Sequence, residues 1–392
     1  MTNQEIIALN DRFLFPLYAR APIALVRGEG CRVWDADGAE YLDFFASTVV
    51  TALGHAHPKV TKAIVEQAAK ILHVSNLHHS EPQAHLAQLL CENSFGDRVF
   101  FCNSGAEANE AAIKLARKYG SELGDGRFEI LTATGSFHGR TIATITATGQ
   151  EKVRRGFQPL PEGFRYFAYN DIAALEATLS PRTIAVMIEP LQGEGGIVAA
   201  RPEFLRRVRQ LCDERGMLLI YDEVQTGMGR LGSLFGYERS GVVPDIMTLA
   251  KGLGTGVPIG AMLANERVAR AFTLGSHAST FGGNALTCAV GVAVVHTLLE
   301  DGVIENCEKQ GRYLREKLQA LKSKRIRDVR GDGLLVGAEL DAPGGDVVEA
   351  SRKRGLLINC TAEKVLRFAP PLIVSAVEID KAVAIVAEVL GA

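Results

Sequence analysis

Lys251 and Asp222 carry the strongest chemical signal in this sequence. Lys251 ends the apolar stretch Ile246–Ala250 and enters a glycine-rich loop with Gly252, Gly254 and Gly256. A lysine at a strand end beside such a loop can project into a cleft with backbone packed close around it. Withdrawal from water loosens the proton on its amine and makes it a nucleophile toward carbonyls. Read alone, it is more readily an exposed loop residue, because lysine is seldom buried. Asp222 shifts that balance. It follows the continuous apolar run Met217–Tyr221, so a carboxylate stands at the C-terminal end of a buried strand, where open α/β sheets bind ligands. There it can hold the protonated nitrogen of a pyridine ring, although a helix N-cap or turn former is an equal reading of Asp222 alone. A nucleophilic lysine together with such a carboxylate is what a pyridoxal phosphate site needs.

Other residues fit around that pair. Asn103-Ser104-Gly105-Ala106-Glu107 lies between the strand-like VFFC and a helical stretch. Free N–H groups at a helix start bind phosphate, and ordinary capping by Asn103 or Ser104 is compatible with that use. Phe137-His138-Gly139-Arg140 follows a Gly135–Ser136 turn. Phe137 could stack on a flat ring and Arg140 could clamp a carboxylate. His138 could serve as an acid or base, but a packed, hydrogen-bonded histidine is the simpler reading. Arg367 is a lone arginine in the apolar segment VLRFAPP, and such a residue is paired with an internal acid or an anionic ligand. Gly227–Gly232 formally matches G-x-G-x-x-G, but it does not lie between a strand and a helix, so no dinucleotide site is expected there. Histidines 55, 57, 73, 78, 79 and 85 crowd one segment without an H-E-x-x-H spacing.

The elements that must position these residues alternate along the chain. Val99–Cys102, Phe128–Thr134, Thr141–Thr148, Ile184–Ile188 and Met217–Tyr221 read as strands. Ala106–Tyr119 and Phe204–Arg215 read as helices. This alternation predicts an α/β fold with a mostly parallel sheet buried on both faces. The first 45 residues look separate, with a hairpin turn at Asp35–Gly38. After about residue 290, amphipathic helices such as Glu308–Lys322 and short strands near 334–340 and 365–368 predict a smaller α+β domain. The expected division is 1–45, 46–285 and 286–392.

Composition narrows the function. Among 392 residues, 43 Lys+Arg against 45 Asp+Glu leave a net charge of −2, without the basic excess of a nucleic-acid or membrane-surface protein. The seven cysteines are scattered and form no C-x-x-C pair, so neither a disulfide framework nor a metal site is expected. With no signal peptide and no membrane-spanning apolar run, the sequence reads as a cytoplasmic protein.

The set NSGAEANEAAIKLAR, SFHGRT, EPLQGEGG, LLIYDEVQTGMGR, the Lys251 loop and STFGGN resembles the class-III (subgroup II) pyridoxal-phosphate aminotransferases over essentially the whole chain. VWDADGAEYLDF, LGHAHP, LHVSNLHHSEPQ and LINCTAEKVLRFAPPL are also in the style of that family, closest to its acetylornithine-using members. The resemblance implies the type I transferase fold, similar to aspartate aminotransferases, with pyridoxal 5′-phosphate as cofactor. It implies that Lys251 binds the cofactor and shuttles a proton, and that Asp222 keeps the ring nitrogen protonated. Val224 and Phe137 would sandwich the ring, and Gln225 would meet its phenolic oxygen. Ser104, Gly105 and Ala106 would hold the phosphate, with Thr280 reaching the phosphate of a neighbouring subunit in a homodimer. Arg367 would bind the α-carboxylate of 2-oxoglutarate or glutamate, Arg140 a substrate carboxylate, and Glu194 would act as a gate that pairs with an arginine and releases it. The implied reaction moves the terminal amine of N-acetyl-L-ornithine to 2-oxoglutarate. Succinylornithine, ornithine, 4-aminobutyrate or another terminal amine is the alternative donor; an aminomutase, a decarboxylase or a non-catalytic scaffold fits less well. Ser47, Thr51, His78 and His79 depart from the family's usual residues and bear on the choice of donor.

Overall fold

Seven strands of mostly buried, largely apolar residues build the central sheet of the computed structural model, which describes residues 1–392. In spatial order they are Arg98–Cys102, Gly260–Ala264, Ile246–Leu249, Leu218–Asp222, Thr183–Ile188, Glu129–Ala133 and Phe164–Phe167. All run parallel except Gly260–Ala264, which is antiparallel to both neighbours. Every residue of Thr183–Ile188, Leu218–Asp222 and Ile246–Leu249 is buried, which explains why these strands read as continuous apolar runs rather than alternating ones.

Helix Gly105–Leu123 crosses the sheet with a face of small residues, Ala108, Ala111, Ala112 and Ala116. Helix Pro202–Arg215 buries Phe204, Leu205, Val208 and Leu211. One expected strand is corrected: Ile142–Ala147, within Thr141–Thr148, is a helix. Its threonines turn back on their own helix. Thr146 Oγ1 donates to the carbonyl of Ile142 at 2.6 Å, and Thr148 Oγ1 to that of Thr144 at 2.9 Å. The backbone N–H of Thr141 donates to Thr144 Oγ1 at 3.0 Å. These local bonds satisfy the hydroxyls and outweigh the β-propensity of the segment.

Toward the C-terminus, Ile326–Asp332, Leu335–Leu340, Val365–Phe368 and Asn359–Thr361 form an antiparallel sheet. Near the N-terminus, Leu25–Glu29, Arg32–Asp35 and Glu40–Asp43 form an antiparallel meander. Its turn lies where expected: Asp35 Oδ1 accepts from the backbone N–H groups of Asp37 and Ala39. A short distant strand, Leu356–Leu357, completes this sheet by pairing in parallel with Glu40–Asp43. Helix Ala285–Glu300 packs on Pro58–Ala68 and Glu81–Glu92. No single helix is long and apolar enough to cross a membrane.

A strained turn follows the meander. Ala46, Ser47, Thr48 and Val49 hold φ values of 45°, 52°, 62° and 70°, a full turn of left-handed backbone without a glycine. Left-handed helix costs an L-residue about 1–2 kcal/mol per position. Asp43 starts the turn: its Oδ1 accepts from the N–H groups of Phe45 and Ala46, and its Oδ2 meets His55 Nε2 at 2.8 Å. Ser47→Gly is expected to stabilise the protein by about 0.5–1 kcal/mol, the relief of strain exceeding glycine's entropic cost. Chemical denaturation at fixed protein concentration would measure this; a lower midpoint would show that the serine side chain stabilises more than its backbone strains.

Candidate active site

The parallel strands converge on one cavity of about 410 Å³ at their C-terminal ends. After Arg98–Cys102 come Asn103, Ser104, Gly105 and Ala106. After Glu129–Ala133 come Phe137, His138, Gly139 and Arg140. Thr183–Ile188 delivers Glu189, Leu218–Asp222 ends in Asp222 with Val224 and Gln225 beyond it, and Ile246–Leu249 leads to Lys251. The topology therefore gathers residues that are far apart in sequence, as open α/β sheets do.

Lys251 has a φ of 43°, a left-handed conformation that aims a non-glycine side chain out of the regular strand path. Burial lowers its pKa from 10.5 to about 8, against the opposing pull of Glu194. Asp222 is buried and heavily hydrogen-bonded. Its Oδ2 accepts from Asn109 Nδ2 at 2.7 Å and faces His138 Nδ1 at 2.8 Å; its Oδ1 accepts from the N–H of Val224 at 3.0 Å. A carboxylate only accepts, which places a proton on His138 Nδ1. His138 is thus the hydrogen-bonded core histidine of the simpler expectation, and its partner is the site's own carboxylate.

Ser104 caps helix Gly105–Leu123, its Oγ accepting from the N–H of Glu107 at 3.2 Å. This leaves the amides of Gly105 and Ala106 at a helix start lining the cavity, an anion site by geometry and dipole. Gly105 is required there: a Cβ would stand 2.7 Å from Val224 Cγ1. Phe137 is fixed by its N–H, which donates to Glu189 Oε2 at 3.2 Å. The Arg140 guanidinium lies 5.6 Å from the Phe137 ring centroid.

Arg367 is the paired arginine the sequence implies. Its Nη1 meets Glu194 Oε1 at 2.6 Å and its Nε donates to Asn359 Oδ1 at 3.0 Å. Gln225 Nε2 donates to the same Glu194 oxygen at 3.2 Å. Burial works to raise the Glu194 pKa, but the charge and hydrogen bond of Arg367 bring it below the ordinary range. Arg367 is 2% exposed at the side chain and Glu194 28%, so the acid is the partner with freedom to move.

The structure does not bring every candidate together. Thr280 lies outside the Lys251 cavity and lines another, of about 910 Å³, with His79. Ser47, Thr51 and His78 do not line the Lys251 cavity either, whereas Val50 does. Asn109 and Glu189 are site residues that sequence reasoning passed over. The signal for Asn109 was a polar residue on the buried face of an alanine-rich helix, one turn beyond Gly105.

The family description of class-III aminotransferases matches residues 17–390. The chain is a class-III aminotransferase. An acetylornithine aminotransferase from Caldanaerobacter subterraneus subsp. tengcongensis is 53% identical, covering 98% of this chain and 99% of that one. The crystal structure of an ornithine aminotransferase from Toxoplasma gondii superposes with a TM-score of 0.96 at 34% identity, covering 100% of this chain and 95% of the other. That of an N-acetylornithine aminotransferase from Stenotrophomonas maltophilia gives 0.85 at 39% identity, covering 98% of each. The mixed α/β architecture with its large parallel sheet is the type I fold of this class.

Class-III aminotransferases depend on pyridoxal 5′-phosphate, and the residues here fit that group. A helix start offers amides for a phosphate, Phe137 and Val224 line a slot for a flat ring, and Gln225 Oε1 is buried without a protein partner. Lys251 would carry the aldehyde end and Asp222 would meet the ring nitrogen.

The lowered Lys251 pKa has a measurable consequence in the cofactor-free class-III aminotransferase. Between about pH 8 and 10.5 the unfolded chain holds a proton that the folded one has released. Stability from this group therefore rises with pH across that window, and below it the buried charge is a burden. Lys251→Met is expected to be the more stable protein at pH 7, the gap closing toward pH 10.5. A gap independent of pH in denaturation curves would contradict the lowered pKa.

Proposed function

We propose that this aminotransferase takes the terminal amine of N-acetyl-L-ornithine and delivers it to 2-oxoglutarate, giving N-acetylglutamate semialdehyde and glutamate. One observation carries the choice of donor. The only carboxylates lining the cavity are Glu189 and Asp222, and both are committed, to the N–H of Phe137 and to Asn109 and His138. Arg140 is exposed at the mouth, with Val50, Val257, Pro258 and Ile259 also lining the cavity. That lining suits a donor whose far end is a carboxylate beside a neutral acylamino group. A free α-ammonium, as in ornithine, would find no uncommitted acid in that lining, and Glu194 is occupied by Arg367 during the donor half-reaction. The names of the relatives support the same donor.

When bound, pyridoxal phosphate supplies the electron sink for breaking a substrate C–H bond. The chain's residues do the rest. Asp222 holds a proton at the ring nitrogen. The Lys251 amine, its pKa lowered by burial to about 8, takes and returns the proton of the substrate carbon. During the donor half-reaction Glu194 neutralises Arg367. In the second half-reaction the incoming dicarboxylate replaces Glu194 on Arg367.

The deciding experiment adds amines one at a time to cofactor-loaded protein and follows its visible absorption band. Bleaching by N-acetylornithine, reversed by 2-oxoglutarate with glutamate formed, is expected. Bleaching by ornithine or 4-aminobutyrate alone would move the donor and keep the reaction.

We place the protein in a homodimer with shared sites. Leu77 and Leu274 line the cavity that holds Thr280 and are almost wholly exposed in one chain; covering them removes apolar surface from water. Mixing Lys251→Ala with Thr280→Ala protein tests it. A dimer of one of each has one intact site, so refolded equal mixtures are expected to recover about a quarter of wild-type activity. No gain over the separate variants would defeat the shared site. A reducing, cytoplasmic compartment suits seven cysteines of which none is paired.

A further inference from the structure

The geometry points to Asn109 as a positioning residue that ties the ring-nitrogen partner, Asp222, to the helix that holds the phosphate. This rests on the assignment of the cavity as a pyridoxal-phosphate site.

Asn109 lies on helix Gly105–Leu123, four residues after Gly105, and is buried to 1% exposure. All of its amide atoms are used. Nδ2 donates to Asp222 Oδ2 and to the carbonyl of His138, both at 2.7 Å; Oδ1 accepts from Thr248 Oγ1 at 2.7 Å. Thr248 is on the strand next to Asp222, its register partner. The amide is therefore locked in one orientation, with its donors toward the carboxylate. A buried, fully satisfied network of this kind specifies a single geometry.

The network has a chemical consequence at Asp222. A carboxylate has about four lone-pair positions. Asn109 and His138 occupy two on Oδ2, and the N–H of Val224 occupies one on Oδ1. What remains is a single direction for a further donor. His138 contributes the same kind of bond from the loop after Glu129–Ala133. Asn109 differs because its helix begins with the phosphate amides. One helical turn thus sets the distance between the phosphate anchor and the carboxylate that meets the ring.

The test compares two ligands on cofactor-free protein: pyridoxal phosphate, and its analogue with carbon in place of the ring nitrogen. Asn109→Val, close in volume, is expected to weaken pyridoxal phosphate about tenfold, the worth of a charged hydrogen bond, and to change the analogue's affinity less than twofold. Thr248→Val keeps the Asn109 donors but frees the amide to rotate, and is expected to show the same selective loss at smaller size. Equal weakening of both ligands, or of neither, would reduce Asn109 to a packing residue and overturn the inference. If the wild-type protein bound neither ligand, the assignment of the cavity would itself fall.

Discussion

Lys251→Ala protein is expected to lose transamination by about two to four orders of magnitude, the span that a positioned acid–base group alone contributes. Three observations make this residue irreplaceable. It stands at the C-terminal end of a central strand in a left-handed conformation that aims its side chain into the cavity. Burial brings its amine to a pKa of about 8, close to working pH, where a group both takes and gives a proton. No other lysine lines the cavity. The loss should fall on kcat for both half-reactions, with substrate affinity largely kept, because Arg140 and Arg367 are untouched. Lys251→Arg should be nearly as poor, since guanidinium stays protonated. Single-turnover measurements with each half-reaction would check this; turnover within tenfold of wild type would remove Lys251 from the chemistry.

Arg367→Ala should separate the two half-reactions. The donor half-reaction needs Arg367 only as the neutralised partner of Glu194, and is expected to stay within about tenfold. The acceptor half-reaction loses its carboxylate partner and retains a repelling acid in its place. Truncating one member of a buried charge pair costs about 2–5 kcal/mol, so kcat/KM for 2-oxoglutarate should drop by roughly thirtyfold to several thousandfold. Glu194→Gln should act oppositely, tightening the dicarboxylate because the internal rival is gone. Stopped-flow spectra of each half-reaction would report both. An equal loss in the two halves would mean that Arg367 supports the fold instead of selecting the acceptor.

Much of this was legible in the sequence. Thr183–Ile188 and Leu218–Asp222 announce themselves as continuous apolar runs, and Asp222 and Lys251 as polar residues that end such runs, whereas the half-exposed parallel strand Phe164–Phe167 carries no such signal. The phosphate helix is visible in the step from VFFC to a glycine and an alanine-rich stretch. What stayed hidden depends on contacts across long sequence separations. Nothing local to Asn109 says that it will meet Asp222, more than a hundred residues on. Arg367 demanded a partner, but only the resemblance pointed to Glu194. Thr141–Thr148 misled because its hydroxyls bond inside a helix. The left-handed turn at Ala46–Val49 was not legible at all, since no glycine marks it.

The pairing of Leu42 with Leu356 and of Asp43 with Leu357 bears on how the chain is made. Glu40–Asp43 emerges early in synthesis, while its parallel neighbour emerges more than 300 residues later. At roughly 5–20 residues per second, that leaves an open strand edge for tens of seconds. Tyr41, Leu42 and Phe44, all buried at the end, must meanwhile find temporary cover or meet another nascent chain. Contacts of such sequence span slow folding and favour aggregation. The early meander is therefore where chaperone dependence during expression should concentrate, and the final closing of this sheet is a late event in acquiring the native state.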